Sequence, residues 1–125
     1  MIGWRAKFGV MVACRNTTIE PEFYELAPEG VTFHFDRLGL VLGGEGETPE
    51  EVERRLRGDG EESVICARNF PKMMLDAIAF GCTTGSLIEG PDYDQQLISR
   101  LKEITLIPIT TKPLDFMIRM VYERR

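Results

Sequence analysis

What most constrains the fold of this chain is a repeated change of apolar rhythm along its 125 residues. Short, near-continuous apolar runs alternate with segments whose apolar residues recur at three- and four-residue spacing. The first pattern marks strands buried on both faces and the second marks amphipathic helices, so together they read as a parallel sheet wrapped by helices. Residues 7–13 are a first buried strand. Thr17 or Thr18 caps a helix running to Ala27. Pro21 is tolerated in its first turn, where N–H groups lack intrahelical partners, and Pro28 and Gly30 end it. Residues 31–38 are a second strand, with Val31, Phe33 and Phe35 on one face and Thr32, His34 and Asp36 on the other.

Residues 39–47 are glycine-rich and read as a loop. Thr48-Pro49-Glu50-Glu51 is a capping box with Pro at the first helical position, opening a short charged helix that stops near Gly58. Gly58-Asp59-Gly60 breaks the chain, and a further helix runs from Glu61 towards Asn69. Residues 76–81 are a third strand. Leu97, Ile98, Leu101 and Ile104 give helical spacing to residues 92–103, and residues 106–109 are a short fourth strand ending in Thr110-Thr111. Leu114, Met117, Ile118, Val121 and Tyr122 form an amphipathic stripe on a last helix. The expected architecture is a single α/β domain over residues 1–125, in three layers, with a four-stranded parallel sheet flanked by about five helices. A hydrophobic content of 43 % is enough for its core.

Composition excludes several function classes. With 15 Lys and Arg against 20 Asp and Glu, the chain has no basic surplus to neutralise phosphates, so no nucleic-acid partner is expected. No apolar run approaches the roughly 20 residues of a membrane span, and residues 8–13 are too short for a signal-peptide core. Cys14, Cys66 and Cys82 are odd in number, widely spaced and without a Cys-x-x-Cys pair, which reads as a reduced, cytoplasmic chain. With 1 His and no cysteine pairing, little is left for a zinc site, and no metal chemistry is expected.

In open parallel sheets, ligands bind outside the carboxyl ends of the strands. Three polar segments fall at such ends: Cys14-Arg15-Asn16-Thr17-Thr18, Cys82-Thr83-Thr84-Gly85-Ser86 and Thr110-Thr111. If the first and third strands are neighbours, the first two segments face one pocket. Cys82 is the candidate catalytic residue, because N–H groups at a loop-to-helix junction favour a thiolate; its plainer reading is a small buried residue closing a strand. Thr83, Thr84, Gly85 and Ser86 are candidate donors, through N–H groups and hydroxyls, to that thiolate or to a substrate carboxylate. Asn16 has two readings, an amide donor to a carboxylate and a turn residue just before a helix cap. Cys14 reads as a core residue at a strand end and His34 as a structural strand histidine. Leu42-Gly43-Gly44-Glu45-Gly46 is no phosphate loop, since no Lys-Ser or Lys-Thr follows and its glutamates repel phosphate.

Arg15-Asn16-Thr17-Thr18-Ile19-Glu20 and Ala79-Phe80-Gly81-Cys82-Thr83-Thr84-Gly85-Ser86 together resemble the maleate isomerase and arylmalonate decarboxylase group of the aspartate/glutamate racemase superfamily. The text from Gly30 to Leu38 and Gly90-Pro91-Asp92-Tyr93-Asp94 are also similar to it. The likeness covers most of residues 7–111 and fades over residues 112–125. It implies one half of a two-domain fold whose similar α/β domains face each other across a cleft, each contributing a cysteine, with no metal or organic cofactor. Cys82 matches the first-domain cysteine, Asn16 the asparagine that contacts a substrate carboxylate, and Thr83 and Thr84 the carboxylate-binding turn. The implied reaction is cis–trans isomerisation of maleate or a similar small dicarboxylate, with Cys82 as nucleophile. Arylmalonate decarboxylation and amino-acid racemisation are the alternatives within the superfamily, and a truncated, non-catalytic remnant or carboxylate-binding module is the alternative outside it. The chain matches the N-terminal domain, with the second domain absent. Neither Cys14 nor Cys66 occupies a position that replaces the missing thiol. A homodimer, or association with a C-terminal half, is the expected route to a whole cleft.

Overall fold

The computed structural model of the chain describes residues 2–39, 45–82 and 89–111. In chain order its elements are β1 (Ala6–Ala13), α1 (Ile19–Leu26), β2 (Val31–Leu38), α2 (Pro49–Ala67), a 3-10 turn (Phe70–Met73), β3 (Ala77–Gly81), α3 (Tyr93–Thr105) and β4 (Ile109–Thr110). The four strands pair in parallel in the order β2-β1-β3-β4. The fold is the α/β sandwich that the apolar rhythm implied.

Both faces of the sheet are covered. On one, Phe8, Val10, Val31, Phe33 and Ala77 pack with Phe23 of α1, whose ring meets Phe33 edge-to-face at 4.9 Å. On the other, Met11, Leu38, Ile78, Phe80 and Ile109 pack with Val64, Cys66 and Ala67 of α2 and with Leu97 and Leu101 of α3. This division follows from strand order. The chain steps one way from β1 to β2 and the opposite way from β2 to β3, so crossovers of one hand place α1 and α2 on opposite faces.

Two elements differ from the sequence reading. The helix expected to stop near Gly58 continues without a break to Ala67. Each interior glycine costs about 1 kcal/mol relative to alanine. Against that stand a complete capping box, with the Thr48 N–H donating to Glu51 Oε2 at 2.8 Å and the Glu51 N–H to Thr48 Oγ1 at 3.3 Å, and the burial of Ser63, Val64, Cys66 and Ala67 beyond the glycines. Burying a side chain the size of Val64 alone returns roughly 1.5–3 kcal/mol. The fourth strand begins at Ile109 rather than Leu106, because Leu106 ends α3 in the left-handed region (φ 56°), its N–H donating to the Lys102 carbonyl. The last helix expected around residues 114–122 lies outside the described residues.

Candidate active site at the switch point of the sheet

β1 lies between β2 and β3, so connections leaving the carboxyl ends of β1 and β3 diverge in opposite directions. Such a switch point leaves a crevice that side chains and loops can line. Val12 of β1 pairs with Gly81 of β3, which brings the turn after Ala13 and the residue after Gly81 to the same edge. Asn16 and Cys82, placed together by the sequence only on the condition that β1 and β3 are neighbours, therefore share that edge.

The β1–α1 turn is built around Asn16. Its N–H donates to the Ala13 carbonyl at 2.9 Å, and its Oδ1 accepts from the Thr18 N–H at 3.0 Å, the Ile19 N–H at 3.0 Å and the Thr18 hydroxyl at 3.1 Å. Thr18 stands at the N-cap position but makes no side-chain capping bond. The capping oxygen comes from Asn16 instead, so the turn reading of that residue is present in the structure. The Asn16 Nδ2 amide has no acceptor among the described residues.

Cys82 follows β3 directly and is 5 % exposed, in the cluster that lies against α2 and α3. It is thus both at the switch point and a small residue closing a strand. Gly81 joins it to the turn: a Cβ there would lie 2.9 Å from Ile19 Cδ1 and 2.9 Å from the Met11 carbonyl oxygen. Absence of a side chain at Gly81 is what lets the first residue of α1 close over the end of β3. Thr83 and Thr84 lie outside the described residues, as do residues 40–44 of the glycine-rich loop.

The other two thiols have different local settings. Cys14 is half-buried, and its carbonyl accepts from Arg37 Nη1 at 3.3 Å. Cys66 is buried on α2, with its Sγ 3.7 Å from the Arg37 carbonyl. Burial, and then the Asp36 carboxylate, push its thiol up to about 12, which holds it in the protonated, non-nucleophilic form. The His34 ring sits 3.2 Å from Thr32 Oγ1 on β2, a local strand contact. Among the described residues no group of three or more His, Cys, Asp or Glu side chains could hold a metal ion, and no helix is long and apolar enough to cross a membrane.

One residue of this region carried no role in the sequence reading. Arg37, near the carboxyl end of β2, donates through Nη1 to the carbonyls of Cys14 and Asn16 (2.9 Å to the latter) and through Nη2 to the Glu20 carboxylate. The available signal was no more than a cation near the end of the second strand. A groove of about 250 Å³ between α2 and α3, lined by Arg57, Glu61, Glu89 and Arg100 among others, has its charges matched by the pairs Arg57–Glu89 and Arg100–Glu61.

A doubly covered parallel sheet in the order β2-β1-β3-β4, with the Asn16 turn and Cys82 at the same strand edge, defines a class: an α/β protein with a switch point at the carboxyl edge of its sheet. No family model matches the chain. In sequence it is 28 % identical over 107 residues to the maleate isomerase of Geobacillus stearothermophilus, covering 79 % of this chain and 39 % of that protein. In structure it is similar to the maleate isomerase of Pseudomonas putida S16 (TM-score 0.66, 23 % identity, 91 % of this chain and 48 % of that one). A cysteine-to-alanine variant of the same enzyme, solved with maleate, matches with a TM-score of 0.67, 23 % identity and the same coverage. A cysteine-to-serine variant of the Nocardia farcinica maleate cis-trans isomerase, with a covalently bound succinylcysteine intermediate, gives a TM-score of 0.62 and 19 % identity, again over 91 % of this chain and 48 % of that one. The chain resembles maleate isomerases in sequence and in fold, and it spans about half the length or less of these relatives.

Proposed function

We propose that this chain supplies one wall of the cleft of a maleate cis–trans isomerase-like enzyme, with Cys82 as nucleophile and Asn16, Thr83 and Thr84 binding a substrate carboxylate. The observation that carries this reading is the convergence of the Asn16 turn and Cys82 on one edge of two adjacent strands, joined through the contact that Gly81 permits. In the reaction, the Cys82 thiolate adds to one alkene carbon of maleate, forming a C–S bond while the π electron pair moves to the other carbon and into its carboxylate. The former double bond is then single and rotates. Expulsion of the thiolate restores the double bond as fumarate, with no net gain or loss of protons or electrons. The Asn16 amide, donating to the carboxylate, stabilises the charge that develops there. A succinylcysteine, as seen in the Nocardia farcinica protein, is what addition of a thiol to maleate followed by protonation yields.

The opposing wall comes from a second α/β half, either a further domain or another copy of this chain, and the three cysteines, none of them in a disulfide, fit a reducing, cytoplasmic setting. The burial of Cys82 favours a second reading, a carboxylate-binding module in which the thiol only packs. Alkylation of Cys82 by iodoacetamide with and without maleate, alongside fumarate production by the wild type and by Cys82→Ala, tests both. The isomerase reading expects protection by maleate and turnover lost in Cys82→Ala. Ordinary thiol reactivity without protection counts against it, and maleate binding that survives in Cys82→Ala with no turnover in either protein selects the binding module.

A further inference from the structure

We propose that Arg37 is the positioning residue of the carboxylate site, bracing the β1–α1 turn so that the Asn16 amide is presented at the carboxyl edge of β1 and β3. This inference rests on the role given to Asn16 above. Arg37 pairs in register with Val12, two residues before the turn starts at Cys14. Strand alternation puts it on the same face as Val31 and Phe33, the face covered by α1. From there its guanidinium reaches three points of one short segment, the carbonyls of Cys14 and Asn16 and the carboxylate of Glu20. Those anchors bracket the whole turn from the end of β1 to the first turn of α1. The Asn16 backbone is held from one side by Arg37 and its side-chain oxygen from the other by the Thr18 and Ile19 N–H groups. With both ends tied, only the Nδ2 amide remains to be directed at a ligand.

The task needs a guanidinium. Its planar fork offers five N–H donors in fixed geometry, whereas a lysine is a point charge on a flexible stem and cannot span two carbonyls and a carboxylate at once. Arg37 and Glu20 have 41 % and 31 % of their side chains exposed, so their ion pair adds little to global stability. What it changes is local geometry.

The test uses the full ¹⁵N-labelled chain, read by amide hydrogen exchange and by maleate titration. Arg37→Lys is expected to speed exchange of the Thr18 and Ile19 amides by about tenfold while leaving Val10 and Met11 in β1 unchanged. It is also expected to weaken maleate binding by about tenfold, the scale of one charge-assisted hydrogen bond. Glu20→Gln should weaken maleate binding in the same direction, and Arg37→Lys/Asn16→Ala should bind no more weakly than Asn16→Ala alone. Unchanged exchange at Thr18 and Ile19, or a rise shared equally by Val10 and Met11, overturns the proposal. Tighter maleate binding by Glu20→Gln also overturns it, since Arg37 would then be a direct ligand that Glu20 holds back. If the wild type binds no maleate, the functional reading falls and the brace is judged on the exchange rates alone.

Discussion

In Cys66 the sulfur faces the Arg37 carbonyl at 3.7 Å from within the α2 side of the core, and burial and the Asp36 carboxylate both disfavour its thiolate. In the unfolded chain the same thiol ionises at its ordinary value, near 9.0, against about 12 when folded. Between those values the unfolded state releases the proton and the native state keeps it, so stability is fully present below pH 9 and falls as pH rises towards 12. Urea unfolding across that window should show the decline in the wild type and a flatter profile in Cys66→Ala, whatever the variant loses from its small cavity. An equal slope in both would mean the native thiol is ionised. The sequence showed Asn16 as a turn residue because asparagine ahead of a helix is a local signal. The bracing by Arg37 was not legible, since two of its three acceptors are backbone carbonyls of residues more than twenty positions away, brought to it only by strand register.

At the scale of elements, strands were read closely, β2 to the residue, because continuous apolar runs report burial on both faces. The boundaries that moved were decided by tertiary packing against local propensity. Gly58 and Gly60 carry a local preference to break a helix, but the buried end of α2 outweighs it. A Cβ at Gly58 would meet nothing within 4 Å. Gly58→Ala should therefore raise stability by about 0.5–1 kcal/mol, through helix propensity alone, as a higher urea midpoint with unchanged slope. Leu106 presents the converse case. It is 88 % exposed and holds a left-handed conformation in which a Cβ is strained. Leu106→Gly should stabilise the end of α3 by roughly 1 kcal/mol, seen as slower exchange of the amides in its last turn. A loss of stability would show that the leucine side chain makes a contact worth more than the strain.

For the whole molecule, the decisive fact is strand order, which no single segment encodes. The sequence supplied the polar strand ends, and only the order β2-β1-β3-β4 makes two of them neighbours at a switch point. The join between them runs through Gly81, where a Cβ would sit 2.9 Å from both the Met11 carbonyl oxygen and Ile19 Cδ1. The isoleucine end is flexible and can turn aside, but the carbonyl belongs to the backbone of the central strand and cannot move without disturbing the sheet. Gly81→Ala should therefore cost about 1–3 kcal/mol in urea unfolding, the usual scale of an added methyl in a packed site. It should also separate the Asn16 turn from Cys82. Maleate protection of Cys82 against alkylation should then be lost at temperatures where the variant is still fully folded, while Gly58→Ala, which places the same methyl in open space, keeps it. If Gly81→Ala is destabilised yet still fully protected, the turn and the thiol do not act on one ligand, and the shared edge of β1 and β3 is a packing join rather than a binding site.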